Sequence, residues 1–248
     1  MKRFHVRPES VTGGRVTFDA EETHHLARVL RLRAGALVHT VDGQGQELAV
    51  RLTRVGPREA EGEIVSRGVR RAESPLDLTL VQGIPKGEKL ESIIRMATEL
   101  GVARVVPVIA ARSVPRAEAG RISARMLRWQ RVAKEAAKQS GRAVIPEVTP
   151  PLTLGEWISA PRRPGGLILC LWEEAETKAA ALLPDGPVEH ATLVVGPEGG
   201  LSGDEVLSLR SAGAVVGGLG PRILRADTAG PVGLALLQFR YGDLGAAG

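Results

Sequence analysis

The sequence predicts an α/β protein built on a parallel sheet and preceded by a small β-barrel, and three observations predict it. After residue 73, strand-like runs that are apolar on both faces alternate with amphipathic helical stretches, the pattern of a parallel sheet covered on both sides. Up to residue 72, four to six short alternating or β-branched runs surround one helical stretch, as in a small barrel, an architecture common among RNA-binding proteins. Between them Arg70-Arg71-Ala72-Glu73-Ser74-Pro75 is polar and closed by a proline, as a linker is. The 248 residues suit a small domain plus a larger one, expected at 1–72 and 73–248.

In the first segment, residues 11–18 and 37–41 read as strands, Asp42-Gly43-Gln44-Gly45 as a turn, and residues 47–55 and 61–65 as two more strands. The stretch AEETHHLARVLRLRAG (20–35) reads as a helix. Leu26, Val29 and Leu30 share one face, His24, Arg28 and Arg31 turn outward, and Gly35 is the stop signal.

In the second segment, 77–82 is a strand. Residues 86–100 form a helix with Leu90, Ile93, Ile94, Ala97 and Leu100 on one stripe, stopped by Gly101. Residues 104–110 are a strand, 123–140 a long helix ended by Gly141, and 144–148 strand-like. Thr153-Leu154-Gly155-Glu156 is a capping box that opens a short helix. Residues 167–172, 191–195 and 215–219 are strands, and 232–239 the closing helix.

Two stretches near the C-terminus organise the rest: ATLVVGPEGGLSGDE (191–205) and VVGGLGPRILRADTA (215–229). Each begins with a β-branched pair and breaks at glycine, as a buried strand does when its backbone must approach something closely. The first leads into Ser202-Gly203-Asp204-Glu205, a second capping box. Two strand–glycine loop–helix units within 50 residues look like one ligand site built from main chain.

Several chemistries are excluded. Gly200-Leu201-Ser202-Gly203-Asp204 misses the nucleophile elbow because its second glycine falls one position early. There is no GxxxxGK[ST] phosphate loop, and Gly218-Leu219-Gly220 lacks the third glycine of a dinucleotide fingerprint. The five His show no metal-ligand spacing and Cys170 stands alone among apolar neighbours, so no metal site or disulfide framework is expected and the thiol reads as buried and structural. No apolar run reaches the length of a membrane span and no signal-peptide apolar region follows the N-terminus, so a soluble, cytoplasmic protein with no membrane partner is expected.

The net charge of +5 is uneven: residues 1–72 carry 13 Lys/Arg against 9 Asp/Glu, net +4, and residues 73–248 carry 20 against 19, net +1. An anionic partner, nucleic acid first among them, should meet the N-terminal segment. A compositional bias toward arginine, 27 against 6 lysines, is the alternative source of that charge.

LVVGPEGGLSGDE, LGPRILRADTA, KGEKLESIIRMATELGV (86–102) and EAAKQSGRAVIP (135–146) together resemble the bacterial ribosomal RNA small subunit methyltransferase E family. These enzymes methylate N3 of a uridine in 16S rRNA and belong to the SPOUT superfamily of knotted S-adenosylmethionine (SAM) enzymes. HHLARVLRLRAG resembles the family's N-terminal barrel segment, so the resemblance spans essentially the whole chain. It departs at Arg95-Met96, where the family has Gln-Lys, and at Arg225–Ala229, Arg-Ala-Asp-Thr-Ala in place of Arg-Thr-Glu-Thr-Ala.

The resemblance implies a parallel sheet with a C-terminal trefoil knot, a PUA/OB-like N-terminal barrel, a homodimer, and the small ribosomal subunit as partner. It implies bent SAM held by three loops: Leu171, Trp172 and Glu173; Gly196, Pro197, Gly199 and Gly200; and Leu219, Gly220, Ile223, Leu224, Arg225, Thr228 and Ala229. In-line methyl transfer needs no metal, but uridine N3 carries a proton that must leave as the methyl arrives. Arg225 is the candidate for stabilising negative charge on the base or holding a phosphate, and Glu198 is the nearest candidate general base. The alternative role of Glu198 is to accept hydrogen bonds from loop amides.

Arg3, Arg7, Arg28, Arg31 and Arg33 are expected to grip RNA phosphates. Arg142 and Gln139, closing the long helix, are candidates to face the substrate, with Arg142 as a solvated or helix-capping charge the alternative. With seven aromatic residues in all, base stacking is not the barrel's main grip, and Phe4, its one platform candidate, reads first as core. Two other functions remain open on the residues alone: an RNA-binding or ribosome-assembly protein without catalysis, and a sibling enzyme methylating a ribose 2′-hydroxyl.

Overall fold

The computed structural model describes residues 3–69, 73–113, 119–161 and 163–245, so Arg70, Arg71 and Ala72 of the expected linker lie outside the described residues. The chain divides into two compact units, Met1–Glu73 with Ala137–Ile145, and Ser74–Ala136 with Pro146–Gly248.

The first unit is a six-stranded sheet of β1 (Arg3–His5), β2 (Val11–Thr12), β3 (Arg15–Thr17), β4 (Leu37–Val41), β5 (Gln46–Val55) and β6 (Ala60–Val69). Their order is β1-β4-β5-β6-β3-β2, with only β1 and β4 parallel. The two edge strands are sequence neighbours. A flat sheet of six strands would hold its edges roughly 24 Å apart. Only residues 6–10 join them, three of them coiled in a 3-10 turn (Pro8–Ser10), and they reach less than about 20 Å. The sheet therefore rolls toward a barrel.

The strand expected at 11–18 is broken into a hairpin at Gly13-Gly14, whose φ values of +58° and +80° suit a tight primed turn. Inside the roll, Phe4 and Phe18 meet edge to face, centroids 6.1 Å apart, among Val16, Leu26, Leu48, Val50 and Leu52. Phe4 is 1% exposed, so it is core and not a stacking platform.

The helix expected across 20–35 is shorter. Asp19 caps α1 (Ala20–His24), which continues as one wide π turn (His25–Val29) closed by Leu30 N–H donating to the His25 carbonyl. The extra residue in that turn rotates the phase: Leu26 stays buried, but Val29, expected on the inner face, is 59% exposed. Arg31 follows at φ +52°, ending the helix in the left-handed region before Gly35 is reached.

The second unit holds β7 (Asp77–Gly83), α2 (Lys89–Glu99), β8 (Arg104–Ile109), most of α3 (Ala119–Ser140), β9 (Glu147–Val148), β10 (Leu152–Thr153) and α4 (Leu154–Ser159). They are followed by β11 (Leu167–Leu171), β12 (His190–Val195), α5 (Gly203–Ser211), β13 (Val215–Gly217) and α6 (Ala226–Tyr241). Every pairing is parallel, in the order β10-β8-β7-β12-β11-β13, with β9 also on β8. From β7 the chain builds outward through β8, then returns to lay β11, β12 and β13 on the other side. Such a reversal opens a crevice at the C-terminal strand ends.

Both capping boxes form, Thr153 with Glu156 and Ser202 with Glu205. The last helix starts six residues earlier than expected, directly after Arg225, and carries Pro231 inside it. It packs on α2, β7 and β12. Buried Gln238 fastens its far end, accepting from the Ser74 hydroxyl at 2.7 Å and donating to the Leu100 carbonyl at 2.9 Å. Cys170 is fully buried in β11, and burial pushes its thiol up to about 12, so it is inert at neutral pH.

Candidate active site

At the C-terminal ends of β11, β12 and β13 three loops enclose a cavity of about 250 Å³. The loop after β11 contributes Leu171, Trp172 and Glu173. The loop after β12 contributes Gly196, Pro197, Glu198 and Gly200. The loop after β13 contributes Gly218, Leu219, Gly220, Pro221, Arg222, Ile223, Leu224 and Arg225. Val195 lies beneath, and Ala226 and Ala229 of α6 close one side. Among the expected cofactor residues, Gly199 and Thr228 fall outside this lining. Gly199 faces Arg112, whose guanidinium donates to its carbonyl at 3.0 Å, and Thr228 is exposed on α6.

The loop after β12 is fixed from every side. Gly200 N–H donates to the Pro197 carbonyl at 2.9 Å, closing a turn that puts Gly200 at φ +69°. The positive φ favours glycine at this position, and a Cβ there would push the exposed Glu173 carboxylate aside. Fully buried Gln82, at the end of β7, donates to the Gly196 carbonyl at 3.2 Å. Behind the loop, Arg112 holds Gly199 and the Ala111 amide donates to Glu205 at 2.7 Å.

Glu198 points away from proton-transfer work. Its carboxylate accepts from the Lys86 amide at 3.1 and 3.0 Å and from the Lys89 ammonium at 2.9 Å. Partial burial pushes its pKa up, but the Lys89 and Lys86 hydrogen bonds outweigh this and hold it below the ordinary carboxylate value. A carboxylate so engaged is a weaker base than a free one. The role of amide acceptor fits it, with the amide coming from the β7–α2 loop and not from the helix after its own loop.

The loop after β13 is different. Its entrance is strapped to residues 172–179: Trp172 N–H donates to the Gly217 carbonyl at 3.2 Å, Ala179 N–H to the Gly218 carbonyl at 2.8 Å, and Gly218 N–H to the Thr177 carbonyl at 2.9 Å. Beyond it, Ile223 is 81% exposed although apolar, and Arg222 and Arg225 are exposed on the rim. Arg225 stands at the N-cap of α6, and among the described residues its guanidinium has no partner.

Arg142 does not face a substrate, nor is it a solvated charge. It is 5% exposed, and its Nε and Nη2 donate to one Glu73 oxygen at 2.9 and 2.7 Å, while the other oxygen accepts from the Ala143 and Val144 amides. The ion pair closes the first unit, so the expectation that this arginine binds RNA is corrected. In the same unit Arg7 is exposed with Glu9 4.0 Å away, Arg28, Arg31 and Arg33 are exposed, and the Arg3 side chain lies outside the described residues. Among the described residues no group of three His, Cys, Asp or Glu is placed to hold a metal ion, and no helix is long and apolar enough to cross a membrane.

Sequence reasoning missed Gln82 and Gly83, which stand behind the loop after β12. A Cβ on Gly83 would run into the Pro197 backbone, so β7 and that loop meet only because Gly83 is bare. The signal was present: Val81-Gln82-Gly83 is also a strand that breaks at glycine. It also missed Lys89 and Arg112, whose roles depend on neighbours far away in sequence.

The profile of the RNA methyltransferase domain family matches residues 72–238, and that of the RNA methyltransferase PUA domain matches residues 18–65. Ribosomal RNA small subunit methyltransferase E of Mycobacterium bovis is 36% identical over 238 residues, covering 93% of this chain and 88% of its own. The Bacillus subtilis protein of the same name is 32% identical, covering 89% and 88%. Among solved structures, ribosomal RNA small subunit methyltransferase E from Neisseria gonorrhoeae, bound to S-adenosyl methionine, superposes with a TM-score of 0.86 at 32% identity, covering 98% of this chain and 99% of that one. With the three-loop cavity at the strand ends and matches spanning both units, the chain belongs to the ribosomal RNA small subunit methyltransferase E family of RNA methyltransferases.

Proposed function

We propose that the protein transfers a methyl group from SAM to N3 of a uridine in 16S rRNA, working on the small ribosomal subunit in the cytoplasm. The observation that carries this reading is the three-loop cavity, with glycines at its close approaches and Arg222 and Arg225 exposed on its rim.

The residues fit the donor. Leu171, Leu219, Ile223 and Leu224 offer apolar walls to a purine ring, main-chain groups of the two glycine loops offer hydrogen bonds to its edge, and Glu173 offers negative charge to a cation. When bound, the donor supplies a methyl group on a sulfonium, ready for in-line displacement. The protein's own part is alignment and electrostatics. The tied loop after β12 fixes one wall, and Leu219, Ile223 and Leu224 line the other. The Arg225 guanidinium stands where charge develops on the uracil as N3 loses its proton, and favours that anion; the proton passes to solvent. Glu198 fastens the loop and takes no proton.

Arg7, Arg28, Arg31 and Arg33, exposed in the first unit, supply phosphate contacts. The protein acts as a homodimer through α6. Between Ala229 and Leu237 that helix carries no polar side chain, and Val232, Ala235, Leu236 and Phe239 form a stripe at helical spacing, with Phe239 64% exposed. Phe239→Glu yields a monomer by sedimentation; a dimer that survives it removes this role of α6. The connection from β13, at the sheet edge, back to α6 over β12 and β7 is the return path that a C-terminal knot needs.

Incubation with methyl-labelled SAM and small subunits lacking the modification, followed by nucleoside analysis, tests the function. Label in 3-methyluridine is expected. Label on ribose or no label removes the assignment.

A further inference from the structure

The donor-site reading leaves one group unexplained. Gln82 is fully buried at the end of β7, inside a parallel sheet where apolar side chains are the rule. Its single Nε2 donates twice, to the Gly83 carbonyl at 3.0 Å and the Gly196 carbonyl at 3.2 Å. Two acceptors on that side fix the amide orientation, because the flipped group would set its oxygen against two carbonyl oxygens. The Oε1 then points the other way and is buried with no hydrogen-bond partner among the described residues. It looks toward α6 at Gly230, where a Cβ would lie 3.2 Å from it. A buried acceptor without a donor lowers stability; an apolar residue of the same shape would remove that penalty but take the donor from the Gly83 and Gly196 carbonyls.

We propose that Gln82 is a positioning residue for the methyl-donor site, which sets how far the loop after β12 stands from β7. Resting on the donor-site reading, this inference deepens it. Gly196 is the first residue of that loop, and it lines the cavity. It is also pressed from the other side: a Cβ on it would lie 2.9 Å from the Gly200 carbonyl carbon and 3.0 Å from the Leu201 nitrogen. Gln82 holds the loop at its base, where the Pro197–Gly200 turn begins, while Lys86, Lys89 and Arg112 hold it further along, so a shift at the base strains Pro197 through Gly200. Gly83 beside Pro197 and Gly230 beside Oε1 are the bare positions that let one amide reach both neighbours.

The test sets two readouts against each other. Gln82→Met keeps the length of the side chain, removes both donated hydrogen bonds and removes the orphaned oxygen. Losing the orphaned oxygen and losing the two donated bonds offset each other, so in the ligand-free protein its thermal midpoint is expected to stay within about 10 °C of the wild type. Its affinity for S-adenosylhomocysteine, measured by calorimetry, is expected to fall about tenfold, and exchange of the Gly200 amide to quicken. Gln82→Asn keeps the amide one methylene short and is expected to lose affinity as well. Gln82→Met binding within twofold of wild type overturns the proposal. So does a loss of affinity accompanied by a midpoint more than about 10 °C lower, which marks a structural role only. A wild-type protein that fails to bind S-adenosylhomocysteine overturns the donor-site reading instead, and is distinguished because it needs no variant.

Discussion

The loops after β12 and β13 face each other across one cavity and are built on opposite plans. The first is anchored by Gln82, Lys86, Lys89 and Arg112; a side chain at Gly196 would meet backbone, and Gly200 has a positive φ. The second is strapped only at its entrance. At Gly220, φ is +101° but nothing lies within 4 Å of a would-be Cβ, and Ile223 and Arg225 stand in solvent. Low-stability segments in proteins are those with few buried contacts and few internal hydrogen bonds. One wall of the site is thus preorganised, and the other is free to settle on what binds. In a two-substrate enzyme this separates holding the donor from meeting the acceptor.

The sharpest way to break that contrast is a side chain in each loop. Gly200→Val, which strains the backbone and strikes Glu173, is expected to weaken S-adenosylhomocysteine binding at least about 300-fold, roughly 3.4 kcal/mol. Gly220→Ala meets only backbone strain, about 1 kcal/mol, and calorimetry should show a loss of no more than about fivefold. Comparable losses at both positions would put the two loops on the same plan.

Arg225→Ala is the next largest. It should lower kcat about a hundredfold while leaving the denaturation midpoint within about 0.5 kcal/mol of wild type, because no described residue pairs with it. A stability loss would show that the second loop is tied after all.

Glu198→Gln tests the anchoring of the first loop. Because its folded-state pKa lies below the ordinary carboxylate value, its contribution is present in full above the ordinary value and disappears as pH falls through the folded one. Wild type should exceed the variant by at most about 1 kcal/mol at pH 7, with the gap closing as pH drops toward 3 in thermal melts. Methyl transfer at pH 8 should remain within about threefold; an activity loss of 10²–10⁴-fold would restore Glu198 as the base. The smallest effect belongs to Ile223→Ser. It should be neutral for stability within about 0.5 kcal/mol and cost about threefold in donor affinity by isothermal titration, through a lost apolar wall.

Most of the architecture was legible because it rests on local signals. Both capping boxes, the apolar strands and the two glycine loops are read from neighbours a few residues apart. What failed was decided at long range or by a single inserted residue. One extra residue in the turn at His25–Val29 put Val29 outside, a change no periodicity count contains. Arg142 looks like any surface arginine until Glu73, 69 positions away, pairs with its Nε and Nη2 and it is buried. Glu198 invited a catalytic reading by sitting in the loop, and its partners, Lys86 and Lys89, lie more than 100 residues upstream. In each case the residue type was right for either role, and burial or the partner made the choice.

The discontinuity of the first unit has a consequence for how the protein is made. Glu22 is 1% exposed, and the ammonium that neutralises it belongs to Lys138, 2.8 Å away in the last turn of α3; Glu73 waits likewise for Arg142. During synthesis the six strands emerge early, but the cations that complete their unit follow about 70 residues later, a lag of roughly 4–14 s at ribosomal speeds. Through that interval the nascent barrel carries a carboxylate it cannot bury without cost. Its closure is therefore timed by the arrival of α3, and a chain cut at residue 73 keeps the strands but loses the two cations that seal them.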